Sequence, residues 1–150
     1  MRKVEFSLIA AVALSIIVLS FSVPGGGIPF TVSSIALAFF YAYLSTAYFN
    51  NISIRRAFKK GALDKVSTKH KILATYSGIA IAFALVSVLF QGMRWPAANM
   101  LTVLSILALL PAIAVCIYKI AKGSNNIAYR KSVQRTASYL FVVVCAYIYF

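Results

Sequence analysis

The chain has 150 residues, of which 62% are hydrophobic and 11% charged, with a mean hydropathy of +0.89. A soluble domain averages about 45–50% apolar and about 25% charged residues, and one this small could not cover so much apolar surface, so the composition excludes a water-soluble globule and a disordered chain. Fifteen Lys and Arg stand against Glu5 and Asp64, a formal charge of +13, but the cations gather between apolar runs, as orientation signals do, and no nucleic-acid-binding motif accompanies them.

A bilayer core about 30 Å thick needs about 20 apolar residues of helix to cross it. Four runs meet that length, over 6–23, 28–49, 72–90 and 97–118, and none contains Asp, Glu, Lys, Arg or His. Lipid offers backbone groups no hydrogen-bond partner, so such runs must be helical. The first follows Arg2 and Lys3 as a signal peptide would, but it exceeds the usual 7–15 apolar residues and lacks an A-x-A-like end; the expectation is a retained helix. A fifth run, 136–150, covers only about 22 Å as a helix. It follows Arg130, Lys131 and Arg135 and ends in Tyr147, Ile148, Tyr149 and Phe150, like an aromatic interface belt. A short span reached by local thinning of the bilayer is favoured, with a helix lying in the interface as the alternative. The expected fold class is therefore all-α: an integral membrane helical bundle, one domain over 1–150, of four transmembrane helices plus a short fifth at the C-terminus.

Fourteen of the fifteen cations precede the first run, occupy the basic loop 50–71, or follow the fourth run; Arg94 alone lies between the third and fourth. The positive-inside rule places the fourteen in the cytoplasm, with the N-terminus, and a multi-pass protein of a bacterial inner membrane is the expected setting. Within the loop, Ile54 and Phe58 lie four apart among Arg55, Arg56, Lys59 and Lys60, which suits contact with an anionic inner leaflet.

The chain reads as two similar halves. Each has a helix, a tight outer turn with proline, a second helix and a basic tail. The turns are Pro24-Gly25-Gly26-Gly27-Ile28-Pro29 and Gln91-Gly92-Met93-Arg94-Trp95-Pro96. The tail Asn50-Asn51-Ile52-Ser53-Ile54-Arg55-Arg56 returns 75 positions on as Asn125-Asn126-Ile127-Ala128-Tyr129-Arg130-Lys131. Parallel hairpins related by an axis along the membrane normal would give this pattern; short polar words recurring after spans by chance are the alternative.

In lipid, small residues mark close helix contacts. They recur four apart, hence on one face, as Ser7, Ala11 and Ser15; as Ser34, Ala38, Ala42 and Thr46; as Ala74, Gly78 and Ala82; and as Ala108, Ala112 and Cys116. The plain reading is an ordinary bundle core. The sharper one makes Ser34, Ala38, Ala42 and Thr46 a face for another protein. Phe39, Phe40, Tyr41, Tyr43, Tyr48 and Phe49 crowd the basic end of the second helix, where aromatic residues anchor in the interface and face lipid. Pro111 should disturb the fourth helix by removing a backbone bond.

Candidate chemistry is sparse. No span carries a titratable group for a proton relay, and Glu5 falls at the extreme start of the first helix. No nucleophile–base pair is evident. His70 stands between Lys69 and Lys71 as a solvated loop residue, and Cys116 and Cys145 offer no metal-ligand spacing. No catalytic residue, cofactor or metal is expected, and an enzyme is disfavoured. Gln91, Arg94, Trp95 and Asn99 gather at the outer end of the second hairpin as a possible polar site, with interface anchoring by Arg94 and Trp95 as the plainer role.

These features favour a small polytopic protein acting by intramembrane binding of a partner: an accessory subunit of a membrane complex, or an immunity or exclusion protein against a membrane-acting toxin or phage. In span number and charge layout the chain is similar to colicin-type immunity proteins. The alternative is a small oligomeric transporter, channel or flippase of lipid-linked substrates; flippases of the GtrA type are similar in size and span number. Expected partners are anionic lipids and another membrane protein or a second copy, not nucleic acid. If the Ser34–Thr46 stripe docks a partner, leucine at Ala38 and Ala42 should abolish its capture in a mild-detergent pull-down.

Overall fold

In the computed structural model, residues 2–21, 24–57, 66–123 and 127–149 are described, and among them the only regular elements are helices. They are α1 (Arg2–Ser20), α2 (Gly27–Phe49), the single turn α3 (Ile54–Ala57), α4 (Thr68–Gly92), α5 (Ala98–Ala121) and α6 (Ile127–Tyr149). The four apolar runs correspond to α1, α2, α4 and α5, each long and apolar enough to cross a membrane. At a rise of 1.5 Å per residue they measure roughly 28–38 Å, against the roughly 30 Å of hydrocarbon.

The helix bounds differ from the apolar runs in a regular way. Helices α1 and α4 start four residues earlier, and α5 ends three later, because backbone hydrogen bonding continues past the point where side chains turn polar. The C-terminal element differs most. Instead of a short helix over 136–150, α6 begins at Ile127 and runs for 23 residues. Its buried residues Ala128, Ser132, Thr136, Tyr139, Val143 and Ala146 recur every three or four positions, so one stripe faces the bundle along its whole length. Helix α6 packs against both α4 and α5. Cys116 is buried as an apolar filler, while Cys145 is exposed on the outer face of α6.

Helix α4 is the centre of the bundle, meeting α2, α5 and α6, whereas α1 packs chiefly on α2. The α2–α4 contact is closest at Gly78. A Cβ added there would come under 3.0 Å from the Ser45 side chain and 2.5 Å from the Tyr41 carbonyl oxygen. Small hydroxyl pairs then tie four of the seams. Ser15 and Ser33 join α1 to α2 at 3.2 Å, Thr46 and Thr75 join α2 to α4 at 2.8 Å, Ser87 and Ser105 join α4 to α5 at 3.2 Å, and Ser132 donates to Ser77 across α4 and α6 at 2.7 Å. Without water to compete, such hydroxyls are satisfied only by each other or by backbone carbonyls.

The two hairpins share backbone landmarks 72 residues apart, not 75. Ser15–Ser33 matches Ser87–Ser105. In the outer turns, proline precedes a left-handed residue in both: Gly25 (φ 82°) after Pro24, and Ala97 (φ 66°) after Pro96. After α2 and α5, Asn51 (φ 58°) matches Gly123 (φ 85°). The capping bonds repeat as well: Asn50 N–H to the Thr46 carbonyl corresponds to Lys122 N–H to that of Tyr118. Glycine and asparagine suit the left-handed region; alanine at 97 holds it at a cost of about 1–2 kcal/mol. Of the repeated tail, Asn125 and Asn126 lie outside the described residues.

Gly78→Ala should destabilise the bundle by roughly 1–3 kcal/mol, the usual cost of overpacking, because one of the colliding atoms is backbone. Thermal unfolding in mild detergent should show the loss, while Ile79→Ala, on the exposed face of the same helix, should shift the midpoint far less.

Candidate functional site

The strongest polar cluster forms around Glu5, the one acidic residue in the described helices. By sequence Glu5 falls at the extreme start of the first helix, outside the apolar runs, none of which carries a titratable group. The Glu5 side chain is 1% exposed. The cause is registry: Ser15 against Ser33 fixes α1 alongside α2, which sets Glu5, nearly three turns earlier, opposite Tyr41 and Tyr48. These two tyrosines are seven residues apart, two turns on one face of α2. Tyr41 Oη donates to Glu5 Oε1, and Tyr48 Oη donates to Oε2 at 2.5 Å.

Arg135 on α6 completes the cluster. Its Nε lies 3.0 Å from Glu5 Oε1, and its Nη2 donates to Oε2 at 3.0 Å. Nε also donates to Tyr48 Oη at 3.3 Å, and Tyr139, one turn beyond Arg135, donates to Tyr41 Oη at 3.4 Å. A buried ion pair needs such added hydrogen bonds to offset its desolvation.

A cleft of about 670 Å³ opens beside the pair. Lys3, Glu5, Phe6 and Ile9 of α1 form one wall; Lys131, Gln134 and Arg135 of α6 form the other, and Tyr48 lies between them. Arg135 is 34% exposed, so the pair is reachable from this cleft. Lys131 donates to Asn51 Oδ1 and lies 5.9 Å from the Tyr48 ring centroid. The arrangement can hold an anion against fixed cations. It has no nucleophile–base pair, and no group of His, Cys, Asp and Glu among the described residues could hold a metal ion.

The stripe on α2 is turned inward. Ser34 and Ala38 are buried at 3% and 8% exposure, Thr46 bonds Thr75 of α4, and Ala42 is half-buried. Leucine at Ala38 therefore perturbs packing and cannot report on a docking face. Of the outer polar group, Gln91 Nε2 donates to Asn99 Oδ1 and Thr102 Oγ1, both at 3.1 Å. Arg94 is exposed, and Trp95 stacks edge-on against Phe90 with ring centroids 5.0 Å apart. The structure thus brings Gln91 and Asn99 together, with Thr102, and sends Arg94 and Trp95 elsewhere. In the basic loop, Arg56 is exposed on α3; the side chain of Arg55 and all of Lys59 and Lys60 lie outside the described residues.

The aromatic group on α2 also divides. Phe40, Tyr41, Tyr48 and Phe49 are buried rather than facing lipid, while Phe39 and Tyr43 are exposed and stacked 5.8 Å apart. His70 is not in a loop: it sits in the first turn of α4, its ring 4.9 Å from that of Tyr129.

The chain matches no family model, no curated protein and no solved structure.

The cluster should behave as a unit. Glu5→Gln and Arg135→Ala should each lower stability in detergent, and the double variant should lose less than the sum of the two. A coupling of roughly 1–3 kcal/mol, the range for residues in one polar network, should emerge from the double-mutant cycle.

Proposed function

We propose that this is a non-enzymatic multi-pass membrane protein that works by holding another membrane component at the Glu5–Arg135 cleft. The observation that carries the reading is an ion pair sunk between the first and last helices yet open on one side to a cleft of about 670 Å³. Ionisable groups among apolar helices are costly, and by default they mark a site of function. A pair serving structure alone would be closed over; Arg135 keeps a third of its surface accessible. The inward stripe of α2 moves support away from a helix face as the docking element and toward this cleft.

The setting that fits is a bacterial inner membrane with the basic end, and so the cleft, in the cytoplasm. Helix α6, running beside α4 and α5, is then a fifth crossing that carries its C-terminus outward. An accessory subunit or an exclusion factor would use the cleft to grip a partner. A second reading, a small carrier or flippase of lipid-linked substrates, is favoured by one observation: the backbone landmarks that recur 72 residues apart, as in transporters built from parallel repeats.

The test is what travels with the protein. Purified from native membranes in mild detergent, the wild type should carry a bound component at fixed stoichiometry, seen by intact mass measurement. Arg135→Ala should lose it, and Gln91→Ala, at the other end of the bundle, should keep it. Equal retention in all three would reject the cleft as the working site.

A further inference from the structure

The walls of the cleft carry unequal charge and unequal polarity, and together these specify a ligand class. Among the described residues that line the cleft, the cations Lys3, Lys131 and Arg135 outnumber the carboxylate of Glu5, so the lining is basic. Arg135 spends Nε and Nη2 on Glu5 and Tyr48, which leaves the two N–H donors of Nη1 for a ligand. A guanidinium edge flanked by ammonium groups matches the tetrahedral, anionic oxygen array of a phosphate. The other half of the α1 wall is apolar. Phe6 is 74% exposed, Ile9 is half-buried, and the outward residues that follow, among them Leu14 and Ile17, continue along a face that meets no other helix. A polar pocket that passes directly into a hydrocarbon-facing groove fits an amphiphile.

We propose that the cleft is a headgroup site for a phosphate-bearing amphiphile, its phosphate held by Lys3, Lys131 and Arg135 and its chain lying along Phe6 and Ile9. Glu5 is the internal counter-ion that keeps Arg135 charged and aimed while the site is empty. This rests on the cleft reading above and names its ligand. It also differs from diffuse attraction of the basic loop to an anionic leaflet, because it places the contact on three named side chains of α1 and α6.

The experiment uses the full chain in a neutral detergent, with native mass spectrometry as the readout and three probes: phosphatidylglycerol, phosphatidylcholine and inorganic phosphate. Phosphatidylglycerol should bind one to one, and roughly tenfold more weakly in Lys3→Gln/Lys131→Gln, a loss in the range of a charged hydrogen bond. That variant leaves the Glu5–Arg135 pair in place, so its folding is not at issue. Phosphatidylcholine, whose choline cancels the phosphate charge, should bind more weakly than phosphatidylglycerol by a similar factor. Inorganic phosphate competing as well as the lipid would keep the phosphate site but assign it to a free anion; no competition at millimolar levels assigns it to the lipid. Arg55→Gln/Arg56→Gln should leave the affinity unchanged. Equal binding of both lipids, or an equal loss in the Arg55/Arg56 variant, overturns the proposal. If a native component depends on Arg135 while no phosphate probe binds, the cleft reading stands and the phosphate assignment falls.

Discussion

The pairing of Glu5 with Arg135 links residues 130 positions apart and sets the arrangement of everything at the basic end of the bundle. Helix α1 leans chiefly on α2, registered there by Ser15 against Ser33. One carboxylate near its start reaches across to the last helix and ties the first element to the sixth. The low dielectric of an apolar bundle makes that pairing strong and its disruption costly. It also dictates the neighbours: Tyr41 and Tyr48 must face the same point on α2, which fixes the rotation of α2, and α6 must present Arg135 and Tyr139 on the same stripe that buries Thr136 and Val143.

The repeated hairpins explain why the site is single. Shifting by 72 residues carries Glu5 to Ser77, and Ser77 accepts from Ser132, one turn before Arg135 on α6. The last helix therefore meets equivalent positions of both first helices with a polar contact. Where the contact is serine to serine, two neutral hydroxyls satisfy each other at 2.7 Å. Where it is carboxylate to guanidinium, the side chains are long and a cleft of about 670 Å³ opens beside them. An acid in place of a hydroxyl thus accompanies the change from a short polar contact to an ion pair beside a cleft.

Much of this was legible in the amino-acid order, and the limits are physical. The four long apolar helices follow from composition because each apolar run has one solution in lipid. The small-residue spacing marked close helix contacts, and Gly78 and Ala38 do lie in them. The expected fifth helix over 136–150 leaves out the opening of α6, because Arg130, Lys131, Gln134 and Arg135 break an apolar run without breaking a helix. Its buried stripe of Ala128, Ser132 and Thr136 is small and hydroxylated, a pattern that hydropathy does not weigh but helix packing rewards. Hydropathy sets Glu5 at the extreme start of the first helix and says nothing of how that segment is set against its neighbours. The signal that points to it is stoichiometric: one of only two acidic residues among fifteen cations, with Tyr41 and Tyr48 two turns apart on one face.

The geometry at Glu5 also bears on what kind of binding the cleft supports. A carboxylate offers about four acceptor positions on its two oxygens. Tyr41 donates to Oε1, Tyr48 and the Arg135 Nη2 donate to Oε2, and the Arg135 Nε stands 3.0 Å from Oε1 while donating to Tyr48. Both carboxylate oxygens are engaged within the protein, and Glu5 serves as a fixed counter-charge. Arginine is the partner with capacity in reserve, since its guanidinium has five donors. Any molecule entering from the cleft therefore meets a donor-rich surface whose one anion is turned inward and fully engaged. That asymmetry favours acceptors over donors: the tyrosines hold Glu5, and Glu5 holds Arg135.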